Sequence, residues 1–265
     1  MKIYSWNMLY RNKELDRAFD FIAKSDFDIF CLQEVPEHFL KRLQGLPFAI
    51  DSRADWMTAY RTDVDRLFRS GTVRNYVVIL SRHPIAAQGE IVFPNYWHLL
   101  PLRARIFVHL MWPFYFSKIS NRGGIYADIS INGMSVRVFN IHLILAHPEW
   151  RIKEFELAMA ERDPSRPTIV CGDFNLLETR RVTLLNWLLG GKVSDAFLYK
   201  RERTHIERRC IEHQLINPLA GGVTHPFSQS QLDHILVSHS FTIKNAEVLP
   251  DRIGSDHHPI CVETT

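Results

Sequence analysis

Eight polar side chains of the sequence stand beside short apolar runs and could do chemistry together. They are carboxylates, amides and imidazoles, which can bind a hard cation through oxygen atoms and move protons near neutral pH. Because rigid scaffolds present functional groups where strands end, this placement predicts one shared cleft. The eight residues are Asn7, Glu34, His142, Asp173, Asn175, Asp233, Asp256 and His257.

Taken singly, most of these residues have an ordinary structural explanation. Asp173 follows a glycine as a turn residue would, Asp256 can cap a loop, and a lone histidine such as His257 is more often structural than catalytic. Glu34 is harder to explain in this way, because it directly follows an apolar run. A half-buried glutamate needs a cation or strong donors to offset its desolvation. Glu34 therefore indicates a hard cation held by oxygen ligands.

The elements that must position these groups are short strands separated by turn formers. Apolar runs predict strands at 2–6, 28–32, 76–80, 125–131, 136–143, 168–171, 232–237 and 259–262. The dipeptide Asn132-Gly133 separates two of these runs and is a strong hairpin signal, so part of the sheet is antiparallel. Apolar residues at helical spacing predict three amphipathic helices, around 15–22, 152–159 and 182–189, the last of them capped by Thr179.

The number and type of these elements define the expected fold class. Many strands, few helices and mixed pairing predict an α/β fold, a four-layer α/β sandwich in which two packed mixed β-sheets are flanked by helices. At 265 residues and 46% hydrophobic, the chain can form one large core, so we expect residues 1–265 to form a single domain. We also expect a monomer.

Charge and cysteine usage say more about the environment than about the partner. The formal net charge of +3 arises from 32 basic and 29 acidic residues, a bias too small to indicate a nucleic-acid binder by itself. The cysteines form no C-x-x-C pair and three of them lie in apolar runs, which predicts reduced thiols and a cytoplasmic protein. No signal peptide is recognisable, and the longest uncharged stretch, 106–117, is too short for a transmembrane helix.

Five short motifs occur in order along nearly the whole chain. They are Trp6-Asn7, Leu32-Gln33-Glu34-Val35, Asn140-Ile141-His142-Leu143, Gly172-Asp173-Phe174-Asn175 and Ser255-Asp256-His257-His258-Pro259-Ile260. Together these motifs resemble those of the endonuclease/exonuclease/phosphatase superfamily, with Asp233 in the expected penultimate strand. The resemblance implies the four-layer sandwich and a metal-dependent hydrolysis of phosphate esters.

The resemblance also implies a metal site and an acid–base pair. It makes Glu34 the principal ligand of Mg²⁺, for which Mn²⁺ is a plausible substitute, with Asn7 and Asp256 close to the ion. His257 would pair with Asp233, which would hold the imidazole's tautomer and favour its protonated form. Two roles remain open for His257: it could remove a proton from water or bind phosphate.

The three remaining residues complete the implied mechanism. Asp173 would orient the attacking water and Asn175 would bind the phosphate oxygens, in an in-line attack with no covalent intermediate. His142 resembles the histidine of pancreatic-type deoxyribonucleases and neutral sphingomyelinases, whereas abasic-site endonucleases more often have tyrosine in that region. Met8-Leu9-Tyr10 also departs from the abasic-site enzymes, so that activity is disfavoured.

Three function classes remain open at this point. The favoured one is hydrolysis of phosphodiester bonds in nucleic acid by a nuclease or end-processing enzyme. The second is a phospholipid phosphodiesterase of the neutral sphingomyelinase kind, which would contact lipid through the aromatic-rich segment 93–119. The third is a non-catalytic binding module on the same fold.

Two other segments are interpreted mainly as ordinary structure. Segment 93–119 could pack into the interior, stack on bases or contact a membrane. A cluster of basic residues is interpreted as a solvated loop rather than a grip on phosphates, and it contains Lys200, Arg201, Arg203, Arg208 and Arg209.

Overall fold

The computed structural model describes residues 1–55, 75–94, 96–111, 123–145 and 147–265, and the strands of these ranges form two six-stranded sheets. In spatial order, the first sheet consists of Ile243–Val248 (β11), Ile260–Thr264 (β12), Lys2–Asn7 (β1), Ile29–Pro36 (β2), Asn75–Ser81 (β4) and Ala49–Asp55 (β3). The second consists of Ile85–Ile91 (β5), Gly124–Ile131 (β6), Met134–His142 (β7), Thr168–Asp173 (β8), Asp233–Ser238 (β10) and Leu215–Ile216 (β9).

Both sheets are mixed, as the sequence predicts. In the first sheet β1 runs parallel to β2, and in the second β7 runs parallel to β8, while the other neighbouring strands are antiparallel. The Asn132-Gly133 turn joins β6 to β7, and both residues have a positive φ, of 51° and 82°. Positive φ at both central positions is the geometry of a tight two-residue hairpin.

Helices cover the outer face of each sheet, which makes four layers. The described helices are Leu15–Lys24 (α1), Glu37–Leu43 (α2), Leu102–Met111 (α3), Pro148–Ala160 (α4), Thr183–Leu188 (α5) and Arg201–Glu212 (α6). Buried side chains of α1 and α2 pack on the first sheet, and those of α4 and α6 pack on the second. This arrangement confirms the predicted sandwich. Within the described ranges, no helix is long and apolar enough to cross a bilayer.

Among the described residues, the interface between the sheets is mainly apolar, and a polar bridge crosses it. Ile3, Ile79, Val138 and Ile235 are among the fully buried side chains that fill it. The amide of Asn140 lies among them, donates to the carbonyl oxygens of Leu32 and Val78 at 2.9 and 2.8 Å, and accepts from Gln33 Nε2 at 2.7 Å. Because Asn140 belongs to β7 while its partners belong to β2 and β4, this amide ties the two sheets together.

The four strands that the sequence analysis missed are the four edges of the two sheets, β3, β5, β9 and β11. An edge strand has one hydrogen-bonded neighbour and more solvent exposure, so its apolar pattern is weaker. β11 has the sequence IKNAEV and no fully buried residue, which illustrates the effect. Periodicity alone therefore found the interior strands and overlooked the outer ones.

Two local predictions were wrong. The basic cluster interpreted as a solvated loop lies on α6, apart from Lys200, which directly precedes it. Arg203 is only 9% exposed and forms a two-pronged ion pair with Glu178. Thr179 does not cap a helix with its side chain: its hydroxyl bonds the carbonyl oxygen of Ser228, and α5 begins at Thr183.

The aromatic-rich segment 93–119 is described only in part, because residue 95 and residues 112–119 lie outside the described ranges. Phe93 and Tyr96 are buried, whereas Leu102, Ile106 and Leu110 are exposed, so only one side of the described part packs into the interior. The four cysteines are free and buried; the sequence predicts this for Cys31, Cys171 and Cys261, whereas the burial of Cys210 was not predicted.

Candidate active site

Strand pairing brings five of the eight polar residues to one edge of the sandwich. In the parallel pair of β1 and β2, Asn7 lies opposite Gln33, one residue before Glu34. In the second sheet, Asp173 lies opposite His142 on one side and opposite Asp233 on the other. The carboxyl ends of the two parallel pairs thus provide Asn7, Glu34, His142 and Asp173, and the start of β10 adds Asp233.

The Oδ2 atom of Asp173 is the centre of this group. It lies 3.0 Å from Asn7 Nδ2, 3.5 Å from His142 Nε2 and 4.0 Å from His257 Nε2. The other oxygen, Oδ1, accepts the backbone N–H of Asn175 at 2.8 Å. Asp173 is 1% exposed, so these contacts take the place of water around the carboxylate.

Unusual backbone geometry sets the direction of two of these carboxylate side chains. Glu34 has a φ of 56° and lies at a register shift between β2 and β4, so a β-bulge turns its side chain out of the ladder. Gly172 has a φ of 142°, and a Cβ atom there would lie 1.8 Å from the carbonyl oxygen of Ile141. Only glycine fits at position 172, which explains the Gly-Asp order of the motif and places Asp173 correctly.

Glu34 and Asp173 converge on a single amide. Asn7 Nδ2 lies 3.4 Å from Glu34 Oε1 and 3.0 Å from Asp173 Oδ2, while the backbone N–H of Tyr10 points at Glu34 Oε2 from 3.3 Å. Two nearly buried carboxylates that share this amide place several oxygen atoms close together. That donor set fits a hard divalent cation such as Mg²⁺ or Mn²⁺. The amide oxygen of Asn7 accepts the N–H of Leu9, so Asn7 orients the carboxylates through its nitrogen.

The second functional unit is the pair of His257 and Asp233. His257 Nδ1 lies 2.7 Å from Asp233 Oδ2, and the two side chains are 7% and 0% exposed. Burial is the largest single effect and disfavours the charged imidazole, but the carboxylates of Asp233, Asp173 and Asp256 together raise the pKa of His257 to about 10. The ring is therefore protonated at neutral pH, and its Nε2–H points toward Asp173.

The loop that contains His257 is bonded to the first strand. Ser255 Oγ donates to the carbonyl oxygen of Asn7 at 2.7 Å and accepts the backbone N–H of His257 at 3.0 Å. Between them, Asp256 is half exposed. Burial raises the pKa of the Asp256 carboxyl, but the nearby His225 and His257 rings together have the larger effect and lower this pKa to about 2. Asp256 is thus an anionic group at the solvent side of the site.

Two site residues were missed by the sequence analysis. Asp55, the last residue of β3, is fully buried, and its Oδ2 lies 3.0 Å from His142 Nδ1. Its Oδ1 accepts the backbone N–H of Gly123, so Asp55 fixes one side of the His142 ring while Asp173 faces the other. His225 lies beside Asp256, with Nε2 3.8 Å from Asp256 Oδ2. Neither residue belongs to a motif, and each follows a segment with little apolar periodicity.

His225 also belongs to a cluster of possible metal ligands. Ligand atoms of His225, Asp256 and His257 lie within 4.8 Å of one another. Imidazole nitrogens suit a transition metal better than Mg²⁺, but the His257 ring would have to lose its Nε2 proton before it could ligate one. The described residues therefore offer an oxygen-rich site at Glu34 and a nitrogen-containing cluster at Asp256.

Sequence comparison assigns a family to this constellation. A model of the Endonuclease/Exonuclease/phosphatase family matches residues 4–257. No curated protein sequence matches the chain.

Solved structures with the same fold cover the whole chain at low sequence identity. An endonuclease/exonuclease/phosphatase from Beutenbergia cavernae has a TM-score of 0.67 and 16% identity, over 99% of this chain and 70% of its own. A mannosyl-6-phosphatase from Bacteroides thetaiotaomicron has a TM-score of 0.62 and 18% identity, over 100% and 99%. The human Nocturnin catalytic domain, which holds a sulfate anion, has a TM-score of 0.60 and 16% identity, over 100% and 94%. At these identities the likeness supports the fold alone.

Proposed function

Because the chain belongs to the endonuclease/exonuclease/phosphatase family, we propose that it is a metal-dependent phosphoesterase whose reaction takes place around Asp173. The observation that supports this most directly is the convergence of Glu34 and Asp173 on Asn7. The oxygens of two carboxylates that meet at one amide can both face a bound cation, and a divalent cation supplies much of the charge stabilisation that phosphoryl transfer requires. We expect the reaction to be hydrolysis by water, without a covalent intermediate.

In this proposal Glu34 is the main metal ligand, Asp256 lies near the ion, and Asn7 holds Glu34 in place. A divalent ion bound there would neutralise charge on the scissile phosphate and stabilise the leaving oxygen. The backbone N–H of Tyr10 helps to orient Glu34, because it points at the second carboxylate oxygen. Mg²⁺ usually retains several waters, so a small number of protein ligands is sufficient.

Asp173 and His257 are the residues that contact the attacking water and the phosphate in this proposal. Asp173 is the candidate to orient the attacking water, because its Oδ2 atom lies at the centre of the donors in the cleft. His257 is better suited to donate a hydrogen bond to a phosphate oxygen than to remove a proton, because its pKa is raised to about 10. His142 would hold Asp173 in position, and Asn175 would contact the phosphate oxygens.

For the substrate, we propose a phosphodiester, with nucleic acid favoured. The sulfate in the Nocturnin structure is a tetrahedral anion like phosphate, which supports a phosphate ester in general. The name mannosyl-6-phosphatase indicates a phosphate monoester as the substrate of that relative, so monoesters belong among the candidate substrates. One observation favours a phospholipid substrate as the second candidate: Leu102, Ile106 and Leu110 expose one side of α3 by 72%, 49% and 67%. Such a stripe could lie on a lipid surface.

A substrate panel separates these possibilities. The EDTA-treated protein is assayed with Mg²⁺, Mn²⁺ or no metal on plasmid DNA, short single strands, sphingomyelin vesicles, bis-p-nitrophenyl phosphate and mannose 6-phosphate. Metal-dependent cleavage of DNA or single strands supports the nuclease. Turnover of sphingomyelin vesicles that is lost in Ile106→Asp supports the lipid alternative. Turnover of mannose 6-phosphate alone shows that the substrate is a phosphate monoester rather than a diester. Absence of turnover on every substrate contradicts the proposal and favours a binding module.

A further inference from the structure

A short loop beside the cleft, residues 224–230, is held rigidly against the site. Its ends pair through the backbone, since the N–H groups of Thr224 and His225 both donate to the carbonyl oxygen of Ser230. The hydroxyl oxygen of Thr224 accepts the backbone N–H of Asp233 at 3.0 Å. The carbonyl oxygen of Thr224 accepts the N–H of His258 at 2.8 Å. The loop is thus bonded to both segments that hold the His257–Asp233 pair.

His225 is the residue of this loop that faces the reacting groups. Its Nε2 atom lies 3.8 Å from Asp256 Oδ2, and its ring centroid lies 4.8 Å from that of His257. The side chain is 15% exposed, so a small part of the ring remains open to solvent. At 3.8 Å the Asp256 oxygen is beyond hydrogen-bond distance, and this leaves the Nε2 position available to another partner.

The two ring nitrogens of His225 have different surroundings. Nδ1 lies 2.8 Å from the hydroxyl oxygen of Ser228 and 3.3 Å from the backbone nitrogen of the same residue, and that hydroxyl lies 3.3 Å from the carbonyl oxygen of His225. Ser228 thus occupies Nδ1, and Nε2 is the nitrogen that can reach a ligand. Asp256 and His257 lie close enough to form a metal site with it, so metal binding is the alternative role that an experiment must separate from hydrogen-bond donation.

Next to His225, Phe227 exposes its ring to solvent. The side chain is 78% exposed, and its centroid lies 6.3 Å from the His225 ring at an interplanar angle of 73°. An exposed aromatic face offers a surface on which a flat ring can stack, and such stacking is tolerant of base identity. A donor for phosphate and an aromatic face for a base thus stand two residues apart on one rigid loop.

We propose that loop 224–230 is the subsite for the nucleoside part of the substrate: His225 donates its Nε2–H to a phosphate oxygen, and Phe227 stacks on the base. The ligand class is a nucleoside phosphate ester. This inference rests on the proposed function and narrows it, because phospholipids and sugar phosphates have no flat ring to stack. His225 and Phe227 set affinity, while the groups around Asp173 perform the hydrolysis.

The test measures binding of two probes by calorimetry, thymidine 5′-monophosphate and inorganic phosphate, first with Mg²⁺ and then in EDTA. His225→Asn removes the donor at the Nε2 position. We expect it to weaken the binding of both probes about tenfold, which is the size of one charge-assisted hydrogen bond. His225→Gln places an amide N–H near the lost position and should recover part of the affinity. Phe227→Ala should weaken the binding of the nucleotide about tenfold and leave the affinity for inorganic phosphate unchanged.

Matched controls and a kinetic measurement complete the design. His239→Gln and Phe197→Ala alter exposed residues of the same types elsewhere, and both should bind the two probes as the wild type does. On thymidine 5′-p-nitrophenyl phosphate, Phe227→Ala should raise KM several-fold with kcat nearly unchanged.

Each failure has a different meaning. If the wild type hydrolyses nucleotide esters while Phe227→Ala and His225→Asn bind both probes normally, the subsite is refuted and the proposed function stands. If His225→Asn lowers affinity for Mn²⁺ while phosphate binding in EDTA is unchanged, His225 is a metal ligand, which also refutes the donor role. If the wild type hydrolyses no phosphate ester with any metal, the proposed function itself is wrong.

Discussion

Asp233 Oδ2 lies 2.7 Å from His257 Nδ1, in an interior where neither side chain is more than 7% exposed. This contact fixes the tautomer of His257 and leaves its Nε2–H pointing into the cleft, 4.0 Å from Asp173 and 3.9 Å from Asp256. A buried imidazole with three carboxylates around it is held in its charged form. The cleft therefore combines a carboxylate-rich side with one fixed positive charge.

Asp233→Asn tests the origin of that charge. Removing the carboxylate while keeping the side-chain size should lower the pKa of His257 from about 10 toward its ordinary value. NMR titration of the His257 ring in EDTA measures the change. Turnover at neutral pH should fall by about tenfold or more, because less of the ring is protonated. An unchanged His257 titration would show that Asp233 is not the cause.

The same pair predicts a pH dependence of stability. The pKa of His257 is higher in the folded chain, at about 10, than in the unfolded chain, at about 6.5, so folding is favoured by the proton. The stabilisation is complete below about pH 6.5 and is lost as the pH rises toward 10. In EDTA, the unfolding free energy of the wild type should therefore fall more steeply between pH 7 and 10 than that of Asp233→Asn. Equal slopes in urea titrations would contradict the linkage.

Asp55→Asn tests the support of His142. The substitution keeps the size of the side chain but removes the charge 3.0 Å from His142 Nδ1, so the ring is held less firmly against Asp173. Turnover should fall about 10- to 100-fold, as is typical when an outer hydrogen-bond partner is lost. Circular dichroism should show an intact fold. Asp26→Asn, at a carboxylate that is 72% exposed, serves as the control and should retain full activity.

Most of the interior could be predicted from the sequence, and the edges could not. Strands such as β2 and β8 are buried along their whole length, so their apolar runs stand out. β3 and β11 lie at the sheet edges and contain charged residues, and their sequences resemble those of loops. α6 was misread for the same kind of reason, because nine of its twelve residues are polar and only two apolar ones, Ile206 and Cys210, are buried.

The residues of the active site also divide into those that the sequence predicts and those that it does not. The motif residues Glu34, Asp173 and His257 were recognisable because each lies next to a buried strand. Asp55 and His225 enter the site from an edge strand and a loop, and only the three-dimensional pairing brings them near His142 and Asp256. Sequence separation explains this limit, since His142 and Asp55 are 87 residues apart.

Asn140→Leu tests the polar bridge between the sheets. The substitution leaves two carbonyl oxygens and the Gln33 amide without their partner in a dry interior. Unfolding in urea should show a loss of about 2–5 kcal/mol, since each unmet buried group costs about 1–3 kcal/mol. Asn245→Leu, on the exposed edge strand β11, should change stability by less than about 0.5 kcal/mol. Equal stabilities for the two variants would refute the bridge.

The most direct test of the account is the metal dependence of Glu34→Gln. Initial rates on thymidine 5′-p-nitrophenyl phosphate are measured against Mg²⁺ concentration for the wild type, Glu34→Gln and the control Glu37→Gln, whose carboxylate lies on the exposed side of α2. We predict that EDTA abolishes wild-type turnover, that Mg²⁺ or Mn²⁺ restores it in the wild type and in Glu37→Gln, and that neither ion restores it in Glu34→Gln. Turnover that persists in EDTA, or a Glu34→Gln variant with the metal response of the wild type, would contradict the account.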